Sequence, residues 1–264
     1  MAEFKSWRSY WLFEHAIKTR TRYVYDPDGK EFLDAVFVTA GRRVETVTAA
    51  AYFWRAQLGN DLRQIYAGEE CVADEPVPHA PERMKPAKDR SKEGRANPKG
   101  ITYLYLATNR DTALAEVRPW IGSLVSVGQF KTLHELRIVN CTTEVKGHWI
   151  YIDREPPPTE REESVWADID RAFAKPVDPS DDLADYGPTQ VLAELFKTSG
   201  FDGIAYRSSL GPGHNIALFD INAAEVVNCF LYKVENLKFD FKEAANPYFM
   251  TKRDEIKAMD EAGG

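Results

Sequence analysis

Cysteine and histidine are scarce in this chain of 264 residues. The three cysteines are far apart, form no Cys-x-x-Cys pair, and have no histidine near them at the spacing of metal ligands. Such a set supports neither a disulfide framework nor a zinc site. The five histidines occur in separate contexts, so none is assigned a catalytic role. Because a chain of this size can bury a large hydrophobic core, we expect no structural metal.

Several motifs of ligand binding and catalysis are also missing. The chain contains no Gly-x-x-x-x-Gly-Lys loop, no Gly-x-Ser-x-Gly elbow, no His-Glu-x-x-His helix and no Gly-x-Gly-x-x-Gly fingerprint. These absences weaken the case for metal-dependent hydrolysis, serine hydrolase chemistry and hydride transfer. Residues 1–18 mix charged and aromatic side chains and lack the unbroken apolar segment of a signal peptide or membrane span. We therefore expect a cytoplasmic protein.

The charge balance is acidic, with one basic segment. The 34 Lys and Arg against 41 Asp and Glu give a net charge of −7, which argues against a general nucleic-acid binder. Residues 83–99 carry seven Lys or Arg and two acidic residues. A solvated loop is the usual interpretation of such a segment. The alternative is an anion-binding loop in which Arg95 offers its planar donor groups to a pyrophosphate.

The pattern of apolar residues predicts an α+β fold. Helical spacing predicts an amphipathic N-terminal helix. Residues 32–38 form a second apolar segment that is either a helix or a short buried strand, and we prefer the helix. Short apolar segments predict strands at 52–54, 101–106, 124–130, 135–139, 203–206 and 216–219. Two short helices follow a capping box at 108–111 and the Pro-containing segment 185–188, and a third lies near 165–173. Strands and helices alternate too irregularly for a doubly wound sheet.

The predicted helices and strands divide the chain into three segments. Residues 1–50 form an N-terminal helical extension, 51–232 the main domain, and 233–264 a tail with a strand at 237–241 and a helix over 248–262. Trp7 and Trp11 in the first helix either pack onto the main domain or form a self-association surface that makes a homo-oligomer. Packing is the more common fate of aromatic residues at helical spacing.

Four residues within apolar segments are candidates for a functional site. Arg55 ends the apolar segment 52–54, and a buried guanidinium requires an anion, which is either a carboxylate of the fold or a bound phosphate. Glu116 lies on the helix after residue 111, where pairing with Arg110 or Arg118 is its ordinary fate. Tyr103 and Tyr105 share one side of a predicted strand, so either packs in the core or stacks on a planar ring.

These segments together resemble the RES-domain family, which is named for an arginine, a glutamate and a serine and whose members occur as toxins in bacterial toxin–antitoxin pairs. The resemblance covers about residues 52–220 and rests on these elements: Phe53-Trp54-Arg55-Ala56, Gly94-Arg95-Ala96-Asn97-Pro98, Leu104-Tyr105-Leu106-Ala107, Thr112 to Val117, Gly203 to Ser208 and Asn215 to Phe219. Each element is weak alone, and their order and separations together are specific.

The resemblance implies a fold similar to the ADP-ribosyltransferase core, a small mixed sheet split around a cleft for NAD+. It implies cleavage of the bond between nicotinamide and ribose, with NAD+ as the substrate and no cofactor. The resemblance assigns catalytic roles to Glu116, Arg55 and Tyr105, and substrate-binding roles to Arg95, Tyr103, Ser208 or the adjacent Ser209, and Asn215. An antitoxin with an Xre-like helix-turn-helix domain is the implied protein partner.

Two other functions remain open on the sequence. ADP-ribose transfer to a protein or small molecule uses the same cleft and the same oxocarbenium-like state. No Glu-x-Glu or Gln-x-Glu pair stands at Glu116, since Leu114 is its second neighbour, and this lowers the case for arginine-directed transfer. The second alternative is a non-catalytic interaction module, and this hypothesis predicts no turnover of NAD+.

Overall fold

The computed structural model describes residues 3–87, 93–144, 151, 154–175, 183–238 and 241. The helices of this part are α1 Ser9–Thr19, α2 Pro27–Ala40, α3 Pro81–Met84, α4 Arg110–Glu116, α5 Pro158–Ala174 and α6 Gly187–Thr198, with a 3-10 helix at Leu183–Tyr186 before α6. The strands are β1 Val44–Val47, β2 Tyr52–Leu58, β3 Asp61–Ala67, β4 Glu70–Val77, β5 Leu104–Ala107, β6 Leu124–Thr132, β7 Leu136–Asn140, β8 Gly203–Arg207, β9 His214–Leu218 and β10 Ala224–Lys233.

The helix boundaries follow the local sequence. The Asp26 side chain accepts a hydrogen bond from the Gly29 N–H at 2.8 Å and caps α2, and proline occupies the first turn of both α2 and α6. The predicted capping box at 108–111 is wrong by one residue. Asn109 is the cap of α4 and accepts from the Thr112 N–H at 2.8 Å, because the Thr108 hydroxyl accepts from the His214 N–H instead.

Eight strands form one mixed sheet in the order β1-β7-β8-β9-β5-β2-β6-β10, and β3 and β4 form a separate hairpin. The pairing of β7 with β8 is parallel, and the other pairings within the sheet are antiparallel. The α+β prediction is therefore confirmed. Strands β2 and β5 pair at one position, Trp54 with Ala107, so the sheet opens between them. This opening is the split in the sheet.

The sheet is larger than the small sheet that was predicted. The six predicted strands are its inner strands, and the two outer strands, β1 and β10, were not predicted. Edge strands expose more of their side chains, so they show little of the alternation that reveals a strand. The predicted strand at 237–241 is wrong at residues 237, 238 and 241, while residues 239–240 and the predicted helix at 248–262 lie outside the described residues.

The first 50 residues share their hydrophobic core with the rest of the fold. Phe13 of α1 and Phe32 of α2 belong to the same buried cluster as Trp166 of α5 and Phe196 of α6. Strand β1 lies within the segment predicted as a helical extension and pairs antiparallel with β7. None of the described helices combines the length and apolar character that a membrane span requires.

Candidate functional site

A cleft of about 560 Å³ opens where β2 and β5 separate. Its size falls within the usual range for small-molecule sites. Its described lining comes from β2, the 94–95 loop, β5, α4 and the residues after it, the end of α5, β8, the loop after β8, and β9. The polar and aromatic members of the lining are Trp54, Arg55, Arg95, Tyr105, Glu116, Arg118, Phe173, Lys175, Tyr206, Ser209 and Asn215.

Glu116 lies at the end of α4, and two neutral donors hold its carboxylate. The Oε1 atom accepts hydrogen bonds from the Ser208 hydroxyl at 2.7 Å and from Asn215 Nδ2 at 2.6 Å. Arg110 pairs with Asp111 instead, and within the described chain no Lys, Arg or His forms an ion pair with Glu116. The ordinary fate of a helix glutamate, pairing with a nearby arginine, is therefore not what the structure shows.

The Ser208 hydroxyl has a defined orientation. Its oxygen accepts from the N–H groups of Leu210 at 3.1 Å and Gly211 at 3.0 Å. Since both acceptor positions are used, the single hydroxyl proton points to Glu116. Thr112 of α4 in turn accepts from the Gly213 N–H at 3.0 Å, which fixes this loop against the helix that carries Glu116.

Arg55 of β2 places a partly satisfied guanidinium in the cleft. Its Nη1 donates to the Tyr105 carbonyl at 3.0 Å, across the opening between β2 and β5. The Nε atom is buried without a hydrogen-bond partner, and Arg55 forms no ion pair with any described carboxylate. Burial lowers the pKa of the Arg55 guanidinium, which nevertheless stays charged at neutral pH. Of the two fates considered for Arg55, a carboxylate partner is not present among the described residues.

Tyr105 connects β5 to the 94–97 loop. Its hydroxyl donates to Asn97 Oδ1 at 2.7 Å and accepts from the Ala96 N–H at 3.1 Å. A Cβ on Gly94 would lie 2.8 Å from the Tyr105 hydroxyl and 2.8 Å from Asn97 Oδ1, so only glycine fits this close approach. Burial raises the pKa of the Tyr105 phenol, which therefore remains a donor at neutral pH.

Arg95 lies on the same loop, and helix α6 holds this loop through hydrogen bonds. The Gln190 side chain donates to the carbonyls of Gly94 at 3.0 Å and Asn97 at 3.1 Å. The Arg95 guanidinium lies 5.0 Å from the centre of the Tyr186 ring, and the residue is 7% exposed. Arg95 is thus a buried cation of the cleft wall, whereas residues 88–92 of the predicted anion-binding loop lie outside the described residues.

The remaining predicted residues separate into two groups. Ser209 lines the cleft, but its hydroxyl donates to the Ala174 carbonyl, so Ser208 is the serine that contacts Glu116. Tyr103 is not part of the cleft lining. Its ring packs in the core at 4.9 Å from the ring of Phe219, and Lys197 lies over its face.

Among the polar and aromatic residues of the lining, the sequence predictions missed five, which are Trp54, Arg118, Phe173, Lys175 and Tyr206. Tyr206 stands inside one of the quoted motifs, so that motif was a usable signal. Its neighbour Arg207 points away and forms an ion pair at 2.5 Å with Asp170, which is fully buried. In the described part of the chain, no three metal-binding side chains come together.

Comparison with known families identifies the chain. The family model of the RES domain matches residues 72–241, which is more than half of the chain. The chain belongs to the RES-domain family. Glu116, Arg95, Tyr105, Ser208 and Asn215 fall within the matched residues, whereas β2 with Arg55 precedes them.

Two further comparisons complete this result. None of the curated proteins matches the chain. The crystal structure of the M. tuberculosis MbcT–MbcA toxin–antitoxin complex is a structural match with 13% sequence identity and a TM-score of 0.39, covering 76% of this chain and 94% of the other.

Proposed function

We propose that this RES-domain protein is a toxin-like enzyme that hydrolyses NAD+ between nicotinamide and ribose. One observation carries the proposal. The Glu116 carboxylate is fixed by Ser208 and Asn215 in the same cleft that holds the Arg55 guanidinium, which lacks an anionic partner among the described residues. A site of this kind offers a negative charge to a developing cation and a positive charge to a phosphate.

Glu116 would stabilise the reacting ribose. Cleavage of the bond to the nicotinamide ring passes through an oxocarbenium-like state, and a nearby carboxylate stabilises its positive charge. Neutral donors hold Glu116, and its carboxylate forms no ion pair with any described cation of the fold. Nicotinamide leaves as a neutral molecule and requires no general acid. Water then attacks the anomeric carbon, which yields ADP-ribose and releases one proton to solvent.

The other residues of the cleft would bind and orient the substrate. Arg55 and Arg95 suit the pyrophosphate, because guanidinium groups bind phosphate oxygens with paired hydrogen bonds. Tyr105 would contribute its ring, since its hydroxyl already binds Asn97 and Ala96. Ser208 and Asn215 act on the reaction through Glu116, so we assign them as positioning residues.

Product analysis of purified protein with NAD+ tests the proposal. Hydrolysis gives free nicotinamide and free ADP-ribose in equal amounts. Release of nicotinamide without free ADP-ribose indicates transfer to an acceptor and contradicts the hydrolase assignment. Binding of NAD+ without release of nicotinamide contradicts an enzymatic function altogether.

We also propose that an Xre-like helix-turn-helix antitoxin restrains this activity in the host cytoplasm. Membership of a family whose members occur in toxin–antitoxin pairs supports this proposal. Expression of the wild-type chain without a partner is expected to lower cellular NAD+ and arrest growth, whereas the Glu116→Gln variant is expected to do neither. Growth arrest by both the wild-type chain and Glu116→Gln, with the cellular NAD+ level unchanged, contradicts the proposal.

A further inference from the structure

The chain leaves helix α4 in an unusual backbone conformation. Val117 is the C-cap residue of the helix, and the next residue, Arg118, has a backbone φ of 46°. This position of a helix terminus is normally occupied by glycine, because a Cβ is disfavoured in the left-handed region. The backbone conformation therefore does not explain why arginine occupies this position.

Contacts within the fold do not explain Arg118 either. The residue is exposed, and its side chain forms no ion pair or hydrogen bond with any described residue. Arg110, at the other end of the same helix, differs in this respect. It pairs with Asp111 at 3.1 Å and contacts the Tyr232 ring. Arg118 is part of the cleft lining, and because the residue is exposed it lies at the mouth of the cleft.

The cleft carries an excess of positive charge. Its described lining contains Arg55, Arg95, Arg118 and Lys175 against a single carboxylate, Glu116. Arg95 lies over the Tyr186 ring, and Lys175 lies 3.9 Å from Asp185. Arg118 at the mouth of the cleft is therefore a further cation for an anionic group of the ligand, in addition to Arg55 and Arg95.

We propose that Arg118 binds a phosphate group of the substrate at the mouth of the cleft. The proposal rests on the proposed function, because it takes a dinucleotide as the ligand. The phosphate has two potential sources, which are the pyrophosphate of NAD+ and the ribose phosphate that distinguishes NADP+. Function then explains an arginine where the backbone favours glycine, in line with the clustering of strained residues at ligand sites.

Replacement of Arg118 by glycine tests the proposal, because it removes the side chain and relieves the backbone. Calorimetric titration of NAD+ and NADP+ in the Glu116→Gln background, where the ligand stays intact, is expected to show a loss of affinity of about tenfold for Arg118→Gly. The melting temperature is expected to stay level or rise. Arg118→Lys is expected to retain part of the affinity. Arg110→Ala removes the same charge from the opposite end of α4 and is expected to leave affinity unchanged.

The two ligands identify the source of the phosphate. An equal loss for both assigns Arg118 to the pyrophosphate, and a larger loss for NADP+ assigns it to the ribose phosphate. Unchanged affinity for both ligands in Arg118→Gly overturns the proposal, whether the melting temperature stays level or rises. An equal effect of Arg110→Ala also overturns it, since the effect would then be one of net charge.

Titration with inorganic pyrophosphate separates this proposal from the proposed function. If neither dinucleotide binds the wild-type protein, the NAD+ assignment fails. Weaker pyrophosphate binding in Arg118→Gly than in the wild type then still supports Arg118 as a phosphate-binding residue, whereas equal binding overturns that role.

Discussion

Arg43 and Arg55 are two half-buried arginines, one beside the edge strand β1 and one on the inner strand β2, and they differ in how their donors are used. Arg43, next to β1, donates to the carbonyls of Asn140 at 3.0 Å and Thr142 at 2.5 Å and lies 4.6 Å from the centre of the Trp166 ring. Arg55 donates once, to Tyr105. The guanidinium beside β1 is satisfied by the fold, whereas the one in the cleft retains donors for a ligand.

Two glutamates repeat this difference. Glu45 of β1 accepts from the Asn140 side chain at 2.6 Å at the edge of the sheet, and Glu116 accepts from Asn215 at the same distance beside the cleft. The local hydrogen bond is alike, but Glu116 shares its environment with unpaired Arg55 and with Ser208. The comparison shows that a hydrogen bond alone does not mark a functional carboxylate. What distinguishes the functional carboxylate is its position in a cleft that also holds an arginine without an anionic partner among the described residues.

The largest expected effect is that of Glu116→Gln on catalysis. The amide keeps the shape of the side chain but loses the negative charge that opposes the oxocarbenium-like state. We expect kcat for NAD+ hydrolysis to fall by about 100-fold to 1000-fold, with the melting temperature little changed.

Glu45→Gln is the matched control, because it removes the same charge beside an asparagine far from the cleft lining. It is expected to keep wild-type kcat. Comparable activity of Glu116→Gln and Glu45→Gln would show that Glu116 is an ordinary surface residue.

The second prediction concerns ligand affinity in Arg55→Met and Arg43→Met. Methionine keeps much of the apolar stem and removes the charge. For Arg55, we expect Kd for NAD+ to rise by about 10-fold to 100-fold, since charged hydrogen bonds contribute about 1.5–3 kcal/mol. The melting temperature should not fall, because replacing a buried, poorly paired charge by an apolar group is often stabilising.

Arg43→Met is expected to show the reverse pattern. Loss of its two hydrogen bonds leaves the Asn140 and Thr142 carbonyls short of donors and lowers the melting temperature by several degrees, roughly 4 °C or more for a loss of about 2 kcal/mol. Its Kd for NAD+ is expected to stay constant. A fall in stability for Arg55→Met at unchanged Kd would mean that Arg55 serves the fold and not the ligand.

The third prediction compares Tyr105→Phe with Tyr103→Phe. Without the Tyr105 hydroxyl, Asn97 Oδ1 and the Ala96 N–H lose a partner, so we expect destabilisation by about 1–3 kcal/mol and a loss of turnover as the 94–97 loop loosens. Tyr103→Phe removes a buried hydroxyl that has no hydrogen-bond partner in the described chain, so stability should hold or rise and turnover should persist. Urea unfolding and nicotinamide release measure both, and equal effects of the two variants would contradict the placement.

The predictable part of this fold is the part with local signals. Prolines and caps mark α2 and α6, and buried apolar segments mark the six inner strands. The β3–β4 hairpin escaped prediction because nearly all its side chains are exposed and no burial pattern is imposed on them.

The site follows the same rule. Arg55 and Glu116 are visible in the sequence as polar residues in apolar segments, but the partners of Glu116 lie 92 and 99 residues away and no spacing reveals them. Only the family resemblance brought Ser208 and Asn215 into the same site before the structure. Arg118 gave no signal, because its left-handed backbone and free side chain are properties of the folded chain.

The smallest expected effect is an alkaline one, and it sharpens the contrast between Tyr103 and Tyr105. Burial, together with the nearby charge of Glu194, raises the pKa of Tyr103 from 10.0 to about 12 in the folded protein. Folding therefore favours the protonated phenol. The stability that this provides is fully present below the unfolded pKa near 10, and it is lost as the pH rises from 10 through 12.

At pH 11 the folded chain still holds most of the Tyr103 proton, whereas the unfolded chain has released most of it. The cost to the wild-type protein at this pH is roughly 1 kcal/mol relative to pH 9. Urea unfolding at pH 9 and pH 11 measures the free energy of unfolding of the wild type and of Tyr103→Phe. The variant has no proton to lose at this position. Tyr105 titrates in both proteins and cancels from the comparison. We expect the wild type to lose about 1 kcal/mol more than the variant between the two pH values, and parallel losses would show that Tyr103 is not protected from ionisation by the core.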